Sequence, residues 1–327
     1  MNNSRLSDNQ IAKGIRNRQT IIKVSKFISV ISYLCIIGLP LGFIFNYALG
    51  GRGIWDKLMI AGIIAIPVGI INGKMGTKQK KNLKTFIGQY LVKDVIAEKI
   101  DIIEYSPNPN TDSDLIKKCT ILPHYDKINC SDYINGTYNG VELTYCDLTL
   151  EQEYQDTDDD GHTSTHYKTV FQGHLINLSL KQKIDGFVKI KERRNSKKEK
   201  GFFSNVLSGA ADVLGIKTKD ESIEVENETF NNKFEIKTNN QQMAFYILTP
   251  QFMEKIVNAD ELAHGYTNIE FRGKNAFITI NNVHDSFEIT KNVISKKTLE
   301  KKRQQMRNEL NCVLTIIDEI IAKDNLF

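Results

Sequence analysis

The segment 156–162, Asp-Thr-Asp-Asp-Asp-Gly-His, places acidic side chains at the spacing of a cation site. Asp156, Asp158 and Asp160 match the opening of a calcium-binding loop, in which alternate residues supply oxygen ligands. Such a loop ends with a bidentate glutamate at its twelfth position, and that position is Tyr167 here. An acidic stretch with a glycine is also ordinary composition for a turn. We therefore interpret the segment as a solvated hairpin tip. The alternative is a weak cation site in which Asp156, Asp158 and Asp160 are the candidate metal ligands.

A second chemical pattern is a basic run followed by an apolar segment, 202–216, with helical spacing. Phe202 and Phe203 open the apolar part. A basic run beside an amphipathic helix with aromatic residues is typical of an element in the membrane interface. An exposed insertion with a short core helix fits the same residues, so both interpretations stay open. The basic residues of the run are Lys189, Lys191, Arg193, Arg194, Lys197, Lys198 and Lys200.

The chain contains none of the common catalytic signatures: no Walker loop, HExxH, GxSxG or Rossmann fingerprint. Its five cysteines are odd in number and form no CxxC pair, which favours reduced thiols over a disulfide framework or zinc site. These absences favour a protein that is not an enzyme and needs no cofactor. A catalytic group assembled from distant residues stays open.

The elements that would position these residues begin with two apolar segments. Residues 27–49 carry no charge over 23 positions, and about 20 apolar residues suffice to span a bilayer. Residues 54–75 form a second, shorter apolar segment with Trp55 and Lys57 at its start. A buried core helix is the alternative for that second segment. The pattern predicts a two-helix transmembrane hairpin over 27–75.

Charge predicts how the hairpin is oriented. Residues 1–84 hold 13 basic and 2 acidic groups, concentrated on the two sides of the apolar segments. The positive-inside rule therefore predicts a two-pass protein of the cytoplasmic (inner) membrane with both termini in the cytoplasm. Because the whole chain has a net charge of +4, residues 85–327 carry −7. An acidic domain argues against nucleic acid as a partner and favours membrane lipid.

The rest of the chain predicts an α+β domain with a mainly antiparallel sheet. Residues 132–154 indicate a hairpin around Asn139-Gly140, a favoured turn dipeptide. Residues 241–262 indicate a helix pair, with Thr249 as an N-cap and Pro250 at the first helical position. Other strand patterns fall at 166–180, 185–191, 222–238 (two short pieces), 268–282 (a hairpin around 273–275) and 286–290.

Two further helices are predicted, an amphipathic one over 78–102 and a long C-terminal one over 293–324. The apolar stripe of the second has heptad spacing interrupted by Arg303, so we expect it to pack within the chain. Homodimerisation through this helix, or another protein partner, is the alternative. The predicted organisation is a basic cytoplasmic segment (1–26), a transmembrane hairpin (27–75), a juxtamembrane helix (76–104), a cytoplasmic α+β domain (105–292) and a C-terminal helix (293–327).

Three segments resemble a known bacterial family: VFQGHLINLSL at 170–180, VENETFNNKFEIKTNNQQMAFYILTPQFMEKI at 225–256 and FRGKNAFITINNVHDSFE at 271–288. The sequence resembles the family catalogued as domain of unknown function 3137. That resemblance implies a membrane-attached bacterial protein and supplies no activity, ligand or active-site residue. We therefore expect a membrane-anchored binding or scaffolding protein. A membrane-attached enzyme or metal-dependent sensor is the alternative.

Overall fold

A computed structural model describes residues 6–49, 54–109, 114–157, 162–193, 221–263, 265–282 and 296–321. The chain forms two compact units. The first comprises Met1–Asp94 with Glu288–Gln304, and the second comprises Val95–Phe287 with Gln305–Phe327. The first unit is helical and the second is an α+β domain with an antiparallel sheet, which confirms the predicted fold class for the part after the N-terminal helices.

The helical unit is built from α1 (Asp8–Leu49) and α2 (Ile54–Ile87). In the described part of the chain, one helical stretch, Asp8–Ile36, is long and apolar enough to cross a membrane, with a mean hydropathy of 1.4. The second predicted span falls in the first half of α2, where many side chains lie outside the described set.

The two helices run antiparallel and are in contact along a seam of small residues. Ser25 Oγ donates a hydrogen bond to the Asn72 carbonyl oxygen at 2.7 Å. A methyl group added at Gly69 would meet Ser32 at 3.1 Å, and one at Gly76 would meet Ser25 at 2.9 Å. Small side chains let helix backbones approach closely, which is a common mode of packing in membranes.

Charged and aromatic side chains add contacts at the other end of the helical unit. The Arg18 guanidinium lies 4.1 Å from the centre of the Phe86 ring, and Gly14 faces the same ring. Arg303 Nη2 lies 2.8 Å from Asp8 Oδ1, so the residue that interrupts the C-terminal apolar stripe has a carboxylate partner. The helix predicted over 78–102 ends earlier, because a π-helical turn at Gly88–Val92 is followed by the short α3 (Lys93–Ile96).

Among the described residues, the sheet of the second unit has seven antiparallel strands. They are β1 (Asp101–Ser106), β2 (Lys127–Tyr138), β3 (Val141–Thr157), β4 (Thr163–Glu192), β5 (Glu221–Ile223), β6 (Phe234–Thr238) and β7 (Tyr266–Asn281). Their order is β1-β2-β3-β4-β6-β5, and β7 also pairs with β4. Strand β4 is therefore the centre of the sheet. Its first part pairs with β3, its middle part (173–178) lies between β3 and β7, and its last part (188–191) lies between β6 and β7.

The predicted hairpin at Asn139-Gly140 is confirmed. Both residues have positive φ, 48° and 79°, and Tyr138 pairs with Val141 across the turn. A two-residue turn with positive φ at both positions matches the right-handed twist of the flanking strands. This local signal needed no long-range contact, which explains why the sequence predicts it.

Three predictions of how strand segments are connected were wrong. Residues 268–282 form one continuous strand, β7, which passes through Gly273 (φ 57°) without reversing. Gly273 pairs with Ile184, and the extra residues of the irregularity lie on β4, between Ser179 and Ile184 and between Ile184 and Phe187. The segments 166–180 and 185–191 likewise form the single strand β4. Between the two short strands of 222–238 lies a helix, α5 (Glu228–Lys233), capped by Asn227. Residues 286–290 lie outside the described part of the chain.

The helix pair predicted over 241–262 is confirmed as α6 (Gln241–Ile247) and α7 (Pro250–Ala263). The Thr249 hydroxyl accepts a hydrogen bond from the Phe252 amide at 3.4 Å, as expected of an N-cap. A short α4 (Asp114–Lys118) precedes β2, and α8 (Lys296–Ile321) ends the described chain. The core on one sheet face includes Ile116, Cys130, Leu148, Phe171, Leu175 and Phe277.

Candidate functional site

Two residues of the predicted basic run belong to the sheet. Lys189 and Lys191 lie near the end of β4, and because they are two positions apart they project from the same face. Lys189 is directly opposite Lys237 on β6 and Glu270 on β7. Together with Arg272, opposite Phe187, the three lysines form what we call the cationic strand face: Lys189, Lys191, Lys237 and Arg272.

An aromatic ring and a carboxylate organise this face. The Lys189 ammonium and the Arg272 guanidinium each lie 4.8 Å from the centre of the Phe187 ring, within cation–π range. Glu270 is completely buried and accepts hydrogen bonds from Arg272 Nε at 2.8 Å and from the Thr120 hydroxyl at 2.7 Å. The Glu270 charge is therefore already compensated by its own neighbours.

The lysines are less well compensated. Burial lowers the pKa of Lys191, and the nearby Lys189 and Lys237 lower it further. Glu235 lies 3.5 Å from Lys237 and offsets part of that charge. Like charges directly opposite each other on neighbouring strands are unfavourable. An anionic group placed on this face would offset the repulsion, so the geometry favours an anionic ligand.

Arg193 follows β4 and has a different role. Its Nε donates to the carbonyl oxygens of Asn231 at 2.9 Å and Phe234 at 3.3 Å, and its backbone amide donates to the Lys233 carbonyl at 2.7 Å. These bonds fix the end of β4 against α5 and β6. The other predicted residues, Arg194, Lys197, Lys198, Lys200, Phe202 and Phe203, lie outside the described residues, and their contact with lipid or a partner stays a prediction.

The candidate metal site lies at the connection between β3 and β4. Asp156 pairs with Ser164, and the hydroxyls of Thr157 and Thr163 lie 3.3 Å apart, as in a continuing antiparallel ladder. Tyr167, at the position where a calcium loop needs glutamate, donates its hydroxyl to Glu153 at 2.7 Å. Within the described ranges, no three His, Cys, Asp or Glu side chains are grouped to hold a metal. Asp158 and Asp160 fall outside those ranges, so this site stays a prediction.

A buried polar group that no sequence motif indicated lies between β3 and β4. The Tyr145 hydroxyl donates to Asp147 Oδ1 at 2.7 Å and lies 2.8 Å from His174 Nδ1, which also contacts Asp147 Oδ1. The Tyr145 and His174 rings are stacked with centroids 5.6 Å apart. Asn282 Nδ2 lies 3.1 Å from His174 Nε2, on the other side of the imidazole. We call Tyr145, Asp147 and His174 the buried polar group.

An aspartate that orients a histidine is one part of many acid–base sites. All three members of the buried polar group are, however, at most 5% exposed, and Asp147 Oδ2 has no hydrogen-bond partner among the described residues. The arrangement as it stands can exchange protons within itself and stacks two rings in the core. The sequence signal was weak because Asp147 and His174 are 27 residues apart and meet only through strand register.

A second group of charges joins β4, α5 and α7. Lys233 Nζ lies 2.8 Å from Asp260 Oδ2, and Asp260 is 4% exposed. The Thr267 amide donates to both Glu192 Oε2 at 3.0 Å and Asp260 Oδ1 at 3.2 Å, which brings the two carboxyl groups together. Burial and the neighbouring Asp260 raise the pKa of Glu192 to about 7. The charge of Glu192 therefore changes near neutral pH.

The cysteines of the second unit favour a structural role. Cys119, Cys130 and Cys146 are free and buried in the same hydrophobic cluster. Burial, followed by the nearby Glu270 carboxylate, raises the pKa of the Cys119 thiol to about 12. A thiol that stays protonated is a poor nucleophile and a poor metal ligand.

These observations define an α+β protein with an antiparallel sheet and an apolar N-terminal helix. Residues 169–321, from β4 to the end of α8, match the model of the family described as "Protein of unknown function (DUF3137)". This match confirms, over residues 169–321, the resemblance drawn from the sequence. The family description gives no activity.

No curated protein matches the chain. Among solved structures, the chain is similar to the crystal structure of the mycobacterial trehalose monomycolate transport factor A, TtfA. The identity is 9% and the TM-score is 0.34, and the match covers 69% of this chain and 95% of that chain.

Proposed function

We propose that this protein is a membrane-anchored binding or scaffolding protein of the cytoplasmic membrane. Helices α1 and α2 would cross the bilayer as a hairpin, with both termini in the cytoplasm. The observation that carries the proposal is the inverted distribution of side chains in this helix pair. Ser25 and Ser32 are buried at 2% and 4% exposure, whereas Phe27, Tyr33 and Leu34 are more than 60% exposed.

Helix α2 has the same character where its side chains are described. Ile63, Ile70 and Ile71 are 57–64% exposed, while the glycines at 69 and 76 face α1. In water such a distribution is unfavourable, because burial of apolar surface is the main favourable term in folding. In a bilayer it is expected, since large apolar side chains contact lipid and small ones permit close packing.

The proposed topology is tested by labelling thiols in intact cells. A Cys35→Ser variant that carries Gln182→Cys, at an exposed position of β4, is treated with a membrane-impermeant maleimide. We expect labelling only after the inner membrane is permeabilised. Labelling at the same rate in intact spheroplasts, or recovery of the chain in the soluble fraction, would overturn the proposal.

The ligand side of the proposal is an anionic surface or partner that contacts the cationic strand face and the basic run after it. Two adjacent features support it: the mutual repulsion of Lys189, Lys191 and Lys237, and the continuation of positive charge into residues 194–200. Each basic group near an anionic membrane contributes about 1 kcal/mol to binding.

This part is tested with the full chain in neutral phosphatidylcholine nanodiscs, to which separate vesicles are added. We expect binding of vesicles that contain phosphatidylglycerol and little binding of neutral ones. The variants Lys189→Gln with Lys237→Gln, and Lys197→Glu with Lys198→Glu and Lys200→Glu, should each reduce it. Lys181→Gln with Lys183→Gln, at exposed positions of β4, is the control. Equal binding by all variants would exclude lipid docking through this face.

A membrane-attached enzyme or metal-dependent sensor is the second candidate, and the buried polar group is the observation that favours it. Asp147 Oδ2 of this group is buried without a hydrogen-bond partner in the described chain. A buried carboxylate oxygen without a partner needs an explanation, and a role in binding a metal ion or accepting a proton would supply one. Calcium and transition metals are titrated while thermal unfolding is followed. A rise in Tm with metal concentration would support this candidate, and a flat response would remove the metal-dependent form of it.

A further inference from the structure

A groove runs along one side of the α1–α2 pair. Its volume is about 710 Å³, within the range of known ligand sites. One end is apolar and the other is basic. Its lining includes Ile36, Ile66 and Ile70 at the apolar end, and Lys74, Lys78 and Lys81 at the basic end. We call it the hairpin groove.

The small residues of the seam create the space. Gly69 and Gly73 line the hairpin groove together with Ser32 of α1. A methyl group added at Gly73 would have no atom within 4 Å, so the surface is open at this position. An alanine or larger residue there would partly fill the groove without disturbing the contact between the helices.

The charge of the groove is one-sided. None of the described residues that line it is acidic, so its three lysines have no carboxylate within the groove. The Thr77 hydroxyl donates to the Gly73 carbonyl at 3.1 Å and leaves its oxygen to accept. A ligand that fits must bring its own negative charge to the lysine end and apolar surface to the isoleucine end.

We propose that the hairpin groove binds one anionic phospholipid, with an acyl chain along the isoleucines and the phosphate at Lys74, Lys78 and Lys81. This inference rests on the proposed transmembrane hairpin, which places these lysines at the cytoplasmic interface. Basic pockets between membrane helices on that side bind anionic head groups. A lysine collar alone would attract lipid without selecting a position, whereas the concave apolar groove next to it holds one chain.

The test uses the full chain in nanodiscs of phosphatidylcholine with a minor fraction of phosphatidylglycerol, released gently for native mass spectrometry. We expect one retained phosphatidylglycerol per chain. Replacing the three groove lysines by glutamine should reduce its retention about 100-fold, as three contacts of about 1 kcal/mol each imply. Gly73→Leu should also reduce retention, because it fills the groove and leaves the lysines in place.

The control triple variant is Lys23→Gln, Lys26→Gln and Lys80→Gln. It removes the same charge from exposed positions that do not line the hairpin groove. The proposal is overturned if this control loses lipid as strongly as the groove variant, or if phosphatidylcholine is retained equally well. A Gly73→Leu chain that keeps its lipid would also overturn it.

The thiol-labelling experiment separates this inference from the proposed function. A hairpin that spans the membrane but fails to retain phosphatidylglycerol removes the groove proposal alone. A chain that does not span the membrane removes both.

Discussion

The contact between α1 and α2 and the core of the sheet unit are built from opposite kinds of residue. The helical unit places serine and glycine at its contact and leaves phenylalanine, leucine and isoleucine outside. The sheet unit buries Phe171, Leu175 and Phe277 and leaves the side chains of the cationic strand face half-buried. Burial of apolar surface is favourable where water is the alternative, so this contrast supports the proposed placement of the α1–α2 pair in a bilayer. Four pairs of matched variants test it.

Matched phenylalanine substitutions should show the largest difference in stability between the two units. Phe277 is completely buried in the sheet unit, and Phe27 is 67% exposed on α1. We expect Phe277→Ala to lower the free energy of unfolding by about 3–5 kcal/mol through lost burial and a cavity. Phe27→Ala should change it by less than about 0.5 kcal/mol. Chemical denaturation of the chain in mild detergent, followed by the near-UV signal, measures both, and a comparable loss for Phe27→Ala would contradict the contrast.

Matched glycine substitutions test the seam between the helices. A side chain at Gly76 would collide with Ser25, whereas Gly73 faces open space. We expect Gly76→Leu to weaken the association of α1 and α2 by about 1–3 kcal/mol, as overpacking does elsewhere. Gly73→Leu should leave it unchanged. Disulfide exchange between cysteines introduced into the two helices reports the association, and equal behaviour of the two variants would show that the seam does not hold the pair.

The buried polar group tests the sheet unit. Removing the Tyr145 hydroxyl leaves Asp147 Oδ1 and His174 Nδ1 with one partner fewer in the core. We expect Tyr145→Phe to lower the free energy of unfolding by about 1–2 kcal/mol. Tyr167→Phe is the control, since its hydroxyl bonds to Glu153 at the surface, and it should cost less than about 0.5 kcal/mol. Thermal unfolding of the two variants compares them directly, and equal costs would mean that burial does not strengthen the polar group.

Glu192 gives the smallest effect, a dependence of stability on pH. Its pKa is about 7 in the folded chain against 4.5 as the ordinary value. The folded state therefore binds more protons between these values, and stability falls as pH rises from about 4.5 to 7. Because Glu192 is half-exposed, solvent screening limits the change to about 1 kcal/mol.

Glu192→Gln should flatten this profile and stabilise the chain at pH 8. Glu226→Gln, at an exposed position before α5, is the matched control and should leave the slope unchanged. Denaturation midpoints at several pH values between 4.5 and 8 give the slope. An unchanged slope in Glu192→Gln would assign the pH dependence to other groups.

Local signals account for the elements that the sequence predicts. The Asn139-Gly140 turn, the Thr249 cap and the apolar run of α1 depend on residues that are neighbours in the chain. The single strand β7 was divided in two by prediction because a glycine indicates a turn and a bulge equally well. Only the pairing with β4, which carries the extra residues opposite Gly273, shows that β7 continues through this glycine.

The candidate sites divide in the same way. The basic run and the acidic loop were visible as composition, but their partners were not. Lys237 lies opposite Lys189 only because β6 pairs with the end of β4. Glu270 lies opposite Lys189 only because β7 pairs with the other edge of β4. The Glu192–Asp260 pair brings together residues 68 positions apart through the Thr267 amide, which no spacing rule predicts.

Composition and near neighbours along the chain are enough to predict the α+β class, the apolar N-terminal helix, the distribution of charge and the family resemblance. Tertiary structure alone decided that β4 is the centre of the sheet, that Tyr145, Asp147 and His174 meet, and that glycine and serine line the contact of α1 and α2. These depend on strand register and helix approach, where a shift of one residue changes every contact.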